Sequence, residues 1–312
     1  MKHSLVSILL SATFLTAGSA NWVAAQSPTP AEKKVEPIAL PFEPSTDGAA
    51  FVPSDRAQSD LPDDDSRVII SEDDRLPILS RAFPWSAIGR IEMVGDDGYS
   101  SYSCTGTLIG RDVVLTNSHC LINPNTGKPF RRPLSFKPST IKGAALDEAT
   151  VIGYDYGWKS GSENVDQDWA ILKIDQPLGD TYGYMGWRSI DFSNPQTRAA
   201  VRGKIILAGY SGDFPKDPAI GQPGQTAGVN IGCSIVSTEP GLLFHDCDTN
   251  PGASGSAIFA QFDDGRFYII GLHAGSNRRP EGVRLPDGRV SDVINRGVQV
   301  PQWAAQAAAM VR

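Results

Sequence analysis

The sequence predicts an all-β protein that ends in a short helix. Short apolar runs separated by turns recur along the chain, a pattern typical of strands rather than of long helices. Two clear runs are Trp169–Ile174 and Arg266–Leu272. The 31 glycines and 23 prolines favour turns. Asp-Gly pairs, which are typical of hairpin turns, begin at Asp97, Asp264 and Asp287.

The C-terminal segment is the one place where the sequence strongly favours a helix. Pro301 is a suitable first helical residue, and residues 302–311 are rich in alanine. We therefore expect one helix at the end of the chain.

Composition places the chain among globular proteins that do not bind nucleic acid. The 312 residues are 40% hydrophobic and 20% charged, which is enough apolar material for one large domain or two smaller ones. The net charge is −7, and no stripe of Lys and Arg is present to release phosphate counterions. We expect a monomer with no nucleic-acid partner.

The N-terminus has the features of a secretory signal peptide. Lys2 and His3 precede an apolar run from Leu5 to Leu15, and small residues follow as far as Ala25. The apolar run is short for a membrane span. The sequence therefore predicts a signal peptide over residues 1–25, export to the extracellular space or the periplasm, and no membrane attachment after its removal.

The next segment, residues 26–67, is rich in Pro, Asp, Ser and Ala and ends near the acidic run Asp63–Asp65. Such a composition buries little apolar surface, so we expect disorder. A linker or a propeptide would both fit. Because Arg67 is followed by the hydrophobic Val68, we favour a propeptide that an activating protease removes at Arg67–Val68.

Four cysteines in an exported chain indicate disulfides. Of the three pairings that four cysteines allow, the simplest joins sequence neighbours. Each such bridge closes a loop of roughly 15 residues and stabilises the fold by about 3 kcal/mol in the chain-entropy model. A zinc site would want Cys-x-x-Cys spacing, which is absent, and we expect no metal there. The pairs would be Cys104–Cys120 and Cys233–Cys247.

Ser254 is the candidate nucleophile. It lies in Asn250–Ser256, where small residues on both sides leave its hydroxyl clear. The same turn can aim the backbone N–H groups of Gly252 and Ser254 at one point, as an oxyanion hole requires. Alone, this segment is equally consistent with a Gly/Ser loop that has no chemistry.

A serine hydroxyl needs a base and a group that orients the base. His119 follows the apolar run Asp112–Thr116, next to the predicted disulfide cysteine Cys120. Asp168 immediately precedes a second apolar run, where a carboxylate is shielded from water and can still reach an imidazole. Asp166 is the alternative acid. The chain thus offers His119, Asp168 and Ser254 as general base, orienting acid and nucleophile.

The order His, Asp, Ser is that of chymotrypsin-like enzymes. Leu115–Cys120 resembles the histidine motif of these serine proteases, Asp168–Leu172 their aspartate motif, and Gly252–Ser256 their serine motif. The resemblance implies two six-stranded antiparallel β-barrels: residues 68–185 would form the first, with the histidine and the aspartate, and residues 186–312 the second, with the serine and the terminal helix.

Two longer segments resemble the bacterial glutamyl endopeptidases of the staphylococcal and bacillus type. These are Val68–Arg75, which resembles the start of their mature chains, and Asp246–Ser256, which resembles their active-site segment. The resemblance implies a secreted, zymogen-derived serine endopeptidase acting on peptides or proteins. It also implies a preference for Glu or Asp at P1, with His273, Thr249 and the α-amino group of Val68 receiving the substrate carboxylate.

Two alternatives remain open from the sequence. Asp248 occupies the place of the acid that selects Arg or Lys in trypsin-like enzymes, and Ala274–Ser276 departs from the triplet that often follows the glutamyl-specific histidine. A catalytically inactive binding protein on the same fold is the second alternative. As for cofactors, we expect none, although acidic turns such as Asp263–Asp264 are candidate ligands for a structural calcium ion.

Overall fold

The computed structural model describes residues 37–39, 45–56, 73–123, 125–158 and 164–312. The predicted signal peptide and the predicted cleavage site at Arg67–Val68 lie outside the described residues. Within these ranges, no helix is both long enough and apolar enough to cross a membrane.

The described ranges form eighteen strands and four short α-helices. The strands are β1 (Ser45–Gly48), β2 (Leu76–Pro77), β3 (Ile88–Val94), β4 (Ser101–Gly110), β5 (Val113–Thr116), β6 (Ile122–Asn123), β7 (Lys128–Pro129), β8 (Ser135–Pro138), β9 (Ala149–Tyr156), β10 (Ala170–Ile174), β11 (Gly186–Ser189), β12 (Ile205–Gly209), β13 (Gly228–Cys233), β14 (Ile235–Glu239), β15 (Leu242–His245), β16 (Ala257–Gln261), β17 (Phe267–Arg284) and β18 (Val290–Gln299). The helices are α1 (Ser118–Leu121), α2 (Leu178–Tyr182), α3 (Pro195–Val201) and α4 (Ala304–Met310), and 3-10 turns cover Trp85–Ala87, Val165–Gln167 and Val300–Gln302.

Six antiparallel strands of the first half close into a barrel, in the order β10, β5, β4, β3, β8, β9. The apolar runs that predicted β5 and β10 lie side by side, with Ala170 opposite Thr116. Their side chains are fully buried at Leu115 and Ile171. Because β5 ends where β10 begins, the residues that follow β5 and those that precede β10 emerge at the same edge of the barrel.

The second half forms a ten-stranded sheet in which the path runs β14, β15, β18, β17, β16, β12, β13, β2, with β11 pairing both β17 and β1. The predicted all-β, chymotrypsin-like fold is confirmed, and this sheet has more strands than the six expected. The additional strands cover edges: β2 pairs with the outer side of β13, and β1 with that of β11. Unpaired edges expose backbone donors and acceptors, which explains why flanking segments are recruited.

One apolar core runs through both sheets. It contains Leu115 and Ile171 from the barrel together with Ile206 and Phe259 from the second sheet. The C-terminal segment closes this core with two fully buried residues, Trp303, which directly precedes α4, and Ala307 within α4. The predicted C-terminal helix is therefore present, and it begins after a 3-10 turn rather than directly at Pro301.

Residues 37–39 and 45–56, which lie in the segment where the sequence predicts disorder, pack against the rest of the chain. Ile38 is fully buried among apolar residues of the second sheet and exchanges backbone hydrogen bonds with Gln261 and Asp263, at 2.9 and 3.2 Å. Phe51 and Tyr184 exchange two more, both of 2.9 Å. The amino-acid composition of this segment does not predict its packing, because a few apolar residues and the free edge of β11 are enough to anchor a polar segment.

Both predicted disulfides are present. Cys104–Cys120 joins β4 to α1, and Cys233–Cys247 joins the end of β13 to the residue pair that follows β15. Each bridge therefore fixes a segment that leads into one of the predicted catalytic motifs.

We predict that Ile38→Ala lowers the free energy of unfolding by about 2–4 kcal/mol, because it opens a cavity in a packed cluster. Chemical denaturation of the full chain measures this change. Ile152→Ala is the matched control: that side chain is 66% exposed, and its loss should change stability by less than about 0.5 kcal/mol. Equal, small effects of the two substitutions would contradict the docking of the N-terminal segment.

Candidate active site

His119 and Asp168 meet at the barrel edge defined by β5 and β10. His119 Nδ1 lies 2.8 Å from Asp168 Oδ2, and the backbone N–H of His119 donates to Asp168 Oδ1 at 3.0 Å. The Asp168 side chain is 3% exposed, whereas that of His119 is 34% exposed. The carboxylate thus occupies Nδ1 and leaves Nε2 as the ring nitrogen available to exchange a proton.

Neighbouring polar side chains hold this pair in place. Asn117 donates to the carbonyl of Asp168 at 2.6 Å, and Ser118 donates to the carbonyl of Trp169 at 2.7 Å. These contacts tie the short helix that carries His119 to the segment that carries Asp168. The alternative acid, Asp166, instead accepts a hydrogen bond from the side chain of Gln167.

The Ser254 loop approaches from the second sheet. The carbonyl of Ser254 accepts a hydrogen bond of 2.8 Å from the N–H of Thr105 and lies 3.8 Å from Cys120 Sγ. Gly252 and Gly255 shape the turn, because their φ angles are +102° and +84°. A Cβ atom at either position would come within 2.4 Å of a backbone oxygen, so only glycine fits here.

Two N–H groups of this loop make no hydrogen bond with any described residue, those of Gly252 and Ser254. The N–H groups around them are used: Ala253 donates to Asn250 at 2.9 Å, and Gly255 donates to the carbonyl of His273 at 3.0 Å. The loop therefore offers the two donors that the sequence predicted for an oxyanion. No hydrogen bond links His119 to Ser254, although such contacts commonly tighten when substrate binds.

A cavity of 560 Å³ opens beside Ser254. One wall comes from residues 248–251, a second from His273 and the two residues Gly275 and Ser276, and a third from 291–295 of β18. Polar groups therefore line much of the cavity, as a site for a charged side chain requires. The structure brings Thr249, Asp248 and His273 together at this cavity, while Val68 lies outside the described residues.

A second histidine, His245, contacts His273. His245 Nε2 lies 3.1 Å from His273 Nδ1, and His245 Nδ1 has no partner among the described residues. Because a buried N–H without an acceptor is rare, we assign the proton of His245 to Nε2, from which it donates to His273. His273 then carries its own proton on Nε2 and presents an N–H donor to the cavity.

Both imidazoles are neutral in the free protein. Burial lowers the pKa of His245 to about 3. Burial also lowers the pKa of His273 well below 6.5, and the neighbouring His245, His119 and Arg296 act in the same direction. A substrate carboxylate would therefore meet a neutral donor on His273, and its charge would stabilise that donor further.

Asp248 lies in the same cavity wall and is 2% exposed. Its backbone N–H donates to Asn230 Oδ1 at 3.1 Å. Both of the competing specificity residues, Asp248 and His273, thus border one cavity, and their positions alone are compatible with an acidic or a basic P1 side chain.

Sequence reasoning missed two neighbours of the site. His245 has no assigned role in the sequence analysis, and nothing in its spacing relates it to His273. Trp158, which had no assigned role, lies with its ring centroid 6.4 Å from that of His119 and flanks the exposed side of the histidine. Its place just after β9, next to β10, is the one signal that could have indicated it.

Groups that could hold a metal are few in the described ranges. Potential ligand atoms of Cys104, His119 and Cys120 lie within 4.8 Å of one another. The two sulfur atoms form a disulfide and are not thiolates. In the turn considered for calcium, Asp264 pairs with Arg188 at 3.2 Å and accepts a hydrogen bond from Tyr268, so a protein cation already balances its charge.

Comparison with known families matches this geometry. A family described as "Trypsin-like peptidase domain" matches residues 104–272, which include all three proposed catalytic residues. The chain belongs to the trypsin-like peptidase family. Its fold is the one expected of that family.

Individual relatives give a narrower similarity. A glutamyl endopeptidase of Bacillus licheniformis is 29% identical over 204 residues, covering 62% of this chain and 55% of that protein. The chain thus aligns with little more than half of that relative's length. A protein named extracellular metalloprotease, from Bacillus subtilis, is 24% identical over 284 residues, covering 88% of this chain and 82% of its own.

A solved structure of a Glu endopeptidase in complex with MPD has a similar fold. It aligns with a TM-score of 0.57 and 25% sequence identity, covering 77% of this chain and 100% of that one.

The histidine pair predicts an acid-sensitive stability. Because both folded-state pKa values lie below the ordinary 6.5, the unfolded chain binds more protons, and the free energy of unfolding falls as the pH drops below about 6.5. In His245→Asn, we expect the slope between pH 6.5 and pH 4 to be smaller by about one proton, roughly 1 kcal/mol per pH unit. Urea denaturation at a series of pH values measures the slopes, and identical slopes would contradict neutral, buried imidazoles.

Proposed function

We propose that the protein is a secreted serine endopeptidase that cleaves peptide bonds through an acyl-enzyme. The observation that carries the proposal is the hydrogen-bonded pair His119–Asp168 beside the Ser254 loop. In this proposal Ser254 is the nucleophile, His119 the general base and Asp168 the acid that orients it. The N–H groups of Gly252 and Ser254 form the oxyanion hole.

The proposed reaction follows from this arrangement. His119 Nε2 takes the proton of Ser254 as the hydroxyl attacks the scissile carbonyl, and Asp168 stabilises the imidazolium that forms. The two N–H donors receive the oxyanion. His119 then protonates the leaving amine, and a water molecule activated by the same imidazole hydrolyses the acyl-enzyme.

For the P1 side chain we propose a preference for Glu and Asp. The support is the N–H donor that His273 directs to the cavity when His245 occupies its other nitrogen. Thr249 lies in the same cavity wall. Val68 is proposed as a third partner through its α-amino group, as in the glutamyl endopeptidases that the sequence resembles.

A trypsin-like preference is the second candidate, because Asp248 borders the same cavity. An Arg or Lys side chain would place its charge beside that acid. Against this reading, a cation entering the cavity would meet the N–H donor of His273, which offers it no acceptor.

Processing and location belong to the same proposal. We propose removal of the signal peptide on export and cleavage at Arg67–Val68 by an activating protease. Peptide or protein substrates are the proposed partners, with the protein acting as a monomer and without a metal or other cofactor.

We predict that Ser254→Ala lowers kcat by about 10⁵–10⁶ and that Asp168→Asn lowers it by about 10⁴. Asp166→Asn is the matched control and should leave kcat within about twofold, because Asp166 does not contact His119. Kinetics on a chromogenic peptide measure these values, and far-UV circular dichroism verifies folding. A fluorophosphonate should inhibit the protein, whereas a metal chelator should not.

Two outcomes would overturn the proposal. Activity that survives Ser254→Ala but disappears with the chelator would indicate metal-dependent hydrolysis. A folded wild-type protein that neither cleaves peptides nor reacts with the fluorophosphonate would indicate a binding protein on this fold.

A mixed peptide library read by mass spectrometry tests the P1 preference, with Ser254→Ala as the blank. We predict cuts after Glu and Asp, and a loss of kcat/KM of about 10²–10³ in His273→Phe, because the carboxylate loses its donor. In Asp248→Asn, cleavage after Glu should be retained or increased as one negative charge leaves the cavity wall. Cuts after Arg or Lys that vanish in Asp248→Asn would assign specificity to Asp248 instead.

A further inference from the structure

A buried arginine, Arg75, links the segment just before β2 to the residues that follow β12. The Arg75 side chain is 1% exposed. Its guanidinium donates to both carboxylate oxygens of Asp73, at 2.9 and 3.0 Å, and to both of Asp213, at 2.9 and 2.8 Å. It also lies over the ring of Phe214, with 4.9 Å from Cζ to the centroid. Two bidentate pairs and an aromatic face fix this guanidinium more firmly than one ion pair can.

The two carboxylates remain ionised in this cluster. Burial opposes ionisation of Asp73, but hydrogen bonds from Arg75 and Lys216 outweigh it and hold the pKa of Asp73 at about 2. Burial likewise opposes ionisation of Asp213, and its contacts with Arg75 hold the pKa of that carboxyl below 3.8. The cluster therefore keeps its full charge at neutral pH.

Asp213 continues the connection to the Ser254 loop. The side chain of Asn250 also interacts with this carboxylate and helps to lower the pKa of Asp213. The neighbouring residue, Gly212, donates its N–H to the carbonyl of Pro251 at 2.7 Å. These two contacts hold the residues that directly precede Gly252.

A second connection runs in parallel. Asn230 on β13 donates from its side-chain amide to the carboxylate of Asp74. The carbonyl oxygen of the same side chain accepts the backbone N–H of Asp248 at 3.1 Å. The segment 73–75 is thus joined to both ends of the stretch from Asp248 to Pro251.

The loop has a physical need for such support. Gly252 adopts a φ of +102°, and the N–H groups of Gly252 and Ser254 make no hydrogen bond with any residue in the described ranges. A conformation that leaves donors unpaired does not sustain itself through local hydrogen bonds, so contacts from outside must hold it.

We infer that Asp73, Asp74 and Arg75, here called the N-terminal clasp, hold the Ser254 loop in the shape that aims its two free N–H groups at the oxyanion. The inference rests on the proposed function and adds a positioning role to residues that touch no reacting atom. Because the clasp begins five residues after Val68, it stays with the mature chain if the proposed cleavage occurs.

The test measures how Arg75→Met changes kcat and KM, using protein produced as the full chain and then processed. Oxyanion donors act on the transition state, so we expect kcat to fall about 10–100-fold while KM changes by less than about threefold. The rate at which a fluorophosphonate labels Ser254 should fall in parallel. Arg75→Lys keeps the charge but cannot bind two carboxylates bidentately, and it should restore kcat only in part.

Arg188→Met is the matched control. Arg188 also pairs with an aspartate, Asp264, and lies over an aromatic ring, 3.9 Å from the centroid of Tyr268. No contact in the described residues joins it to the Ser254 loop, so kcat and labelling should be unchanged even if the melting temperature falls. A clasp that only stabilises the fold would lower the melting temperature of Arg75→Met and leave kcat and the labelling rate at 20 °C unchanged, which would overturn the inference.

A second variant keeps the test decisive if Arg75→Met does not fold. Asn230→Ala cuts the parallel connection and should lower kcat in the same way, whereas an unchanged kcat would refute the clasp. An inactive, unlabelled wild-type protein would instead refute the proposed function, so the two failures are distinguishable.

Discussion

The carboxylate of Asp168 is almost completely removed from water, and burying such a polar group is costly unless hydrogen-bond donors contact it. Both donors come from one residue, since His119 supplies its backbone N–H and its ring nitrogen. This double contact requires a helix that starts at once after β5 and a strand that starts at once after Asp168. The barrel closure, the Cys104–Cys120 bridge and the anchoring by Asn117 all serve that one spatial requirement.

The second requirement is a loop whose backbone N–H donors remain available to bind substrate. From Gly252 to Gly255, the N–H groups alternate between unpaired and paired within the described residues, which is unusual because most backbone donors in a folded protein are paired. Gly252 and Gly255 make the alternation sterically feasible, and neighbouring segments hold it. The two requirements lie on different sheets, so a site of this kind depends on the shared core between them.

The local features of this protein could be predicted from its sequence. Strands such as β5 and β10, the C-terminal helix and the two disulfides follow from short patterns, because propensity and compartment act over a few residues. His119, Asp168 and Ser254 could be named for the same reason, since each lies in a short and distinctive segment.

Features that depend on the tertiary fold were not accessible in this way. The His245–His273 contact joins residues 28 apart, and the Arg75–Asp213 pair joins residues 138 apart. Neither leaves a periodic or compositional signal, and the docking of β1 depends on an edge that only the folded sheet creates. Which of Asp248 and His273 determines the P1 preference is also a tertiary property. Both border one cavity, and their relative influence depends on which hydrogen-bonding groups remain unused.

The strand β1 has a further consequence. It is held to β11 by backbone pairing, as a separate peptide would be held in a strand-addition complex. If the chain is cut between β1 and the N-terminal clasp, the segment changes from a part of the protein into its ligand. The fraction of protein molecules that keep this segment bound would then follow mass action. It would be high at high protein concentration and would fall on dilution. The same contacts would give a permanent strand before the cut and a concentration-dependent one after it.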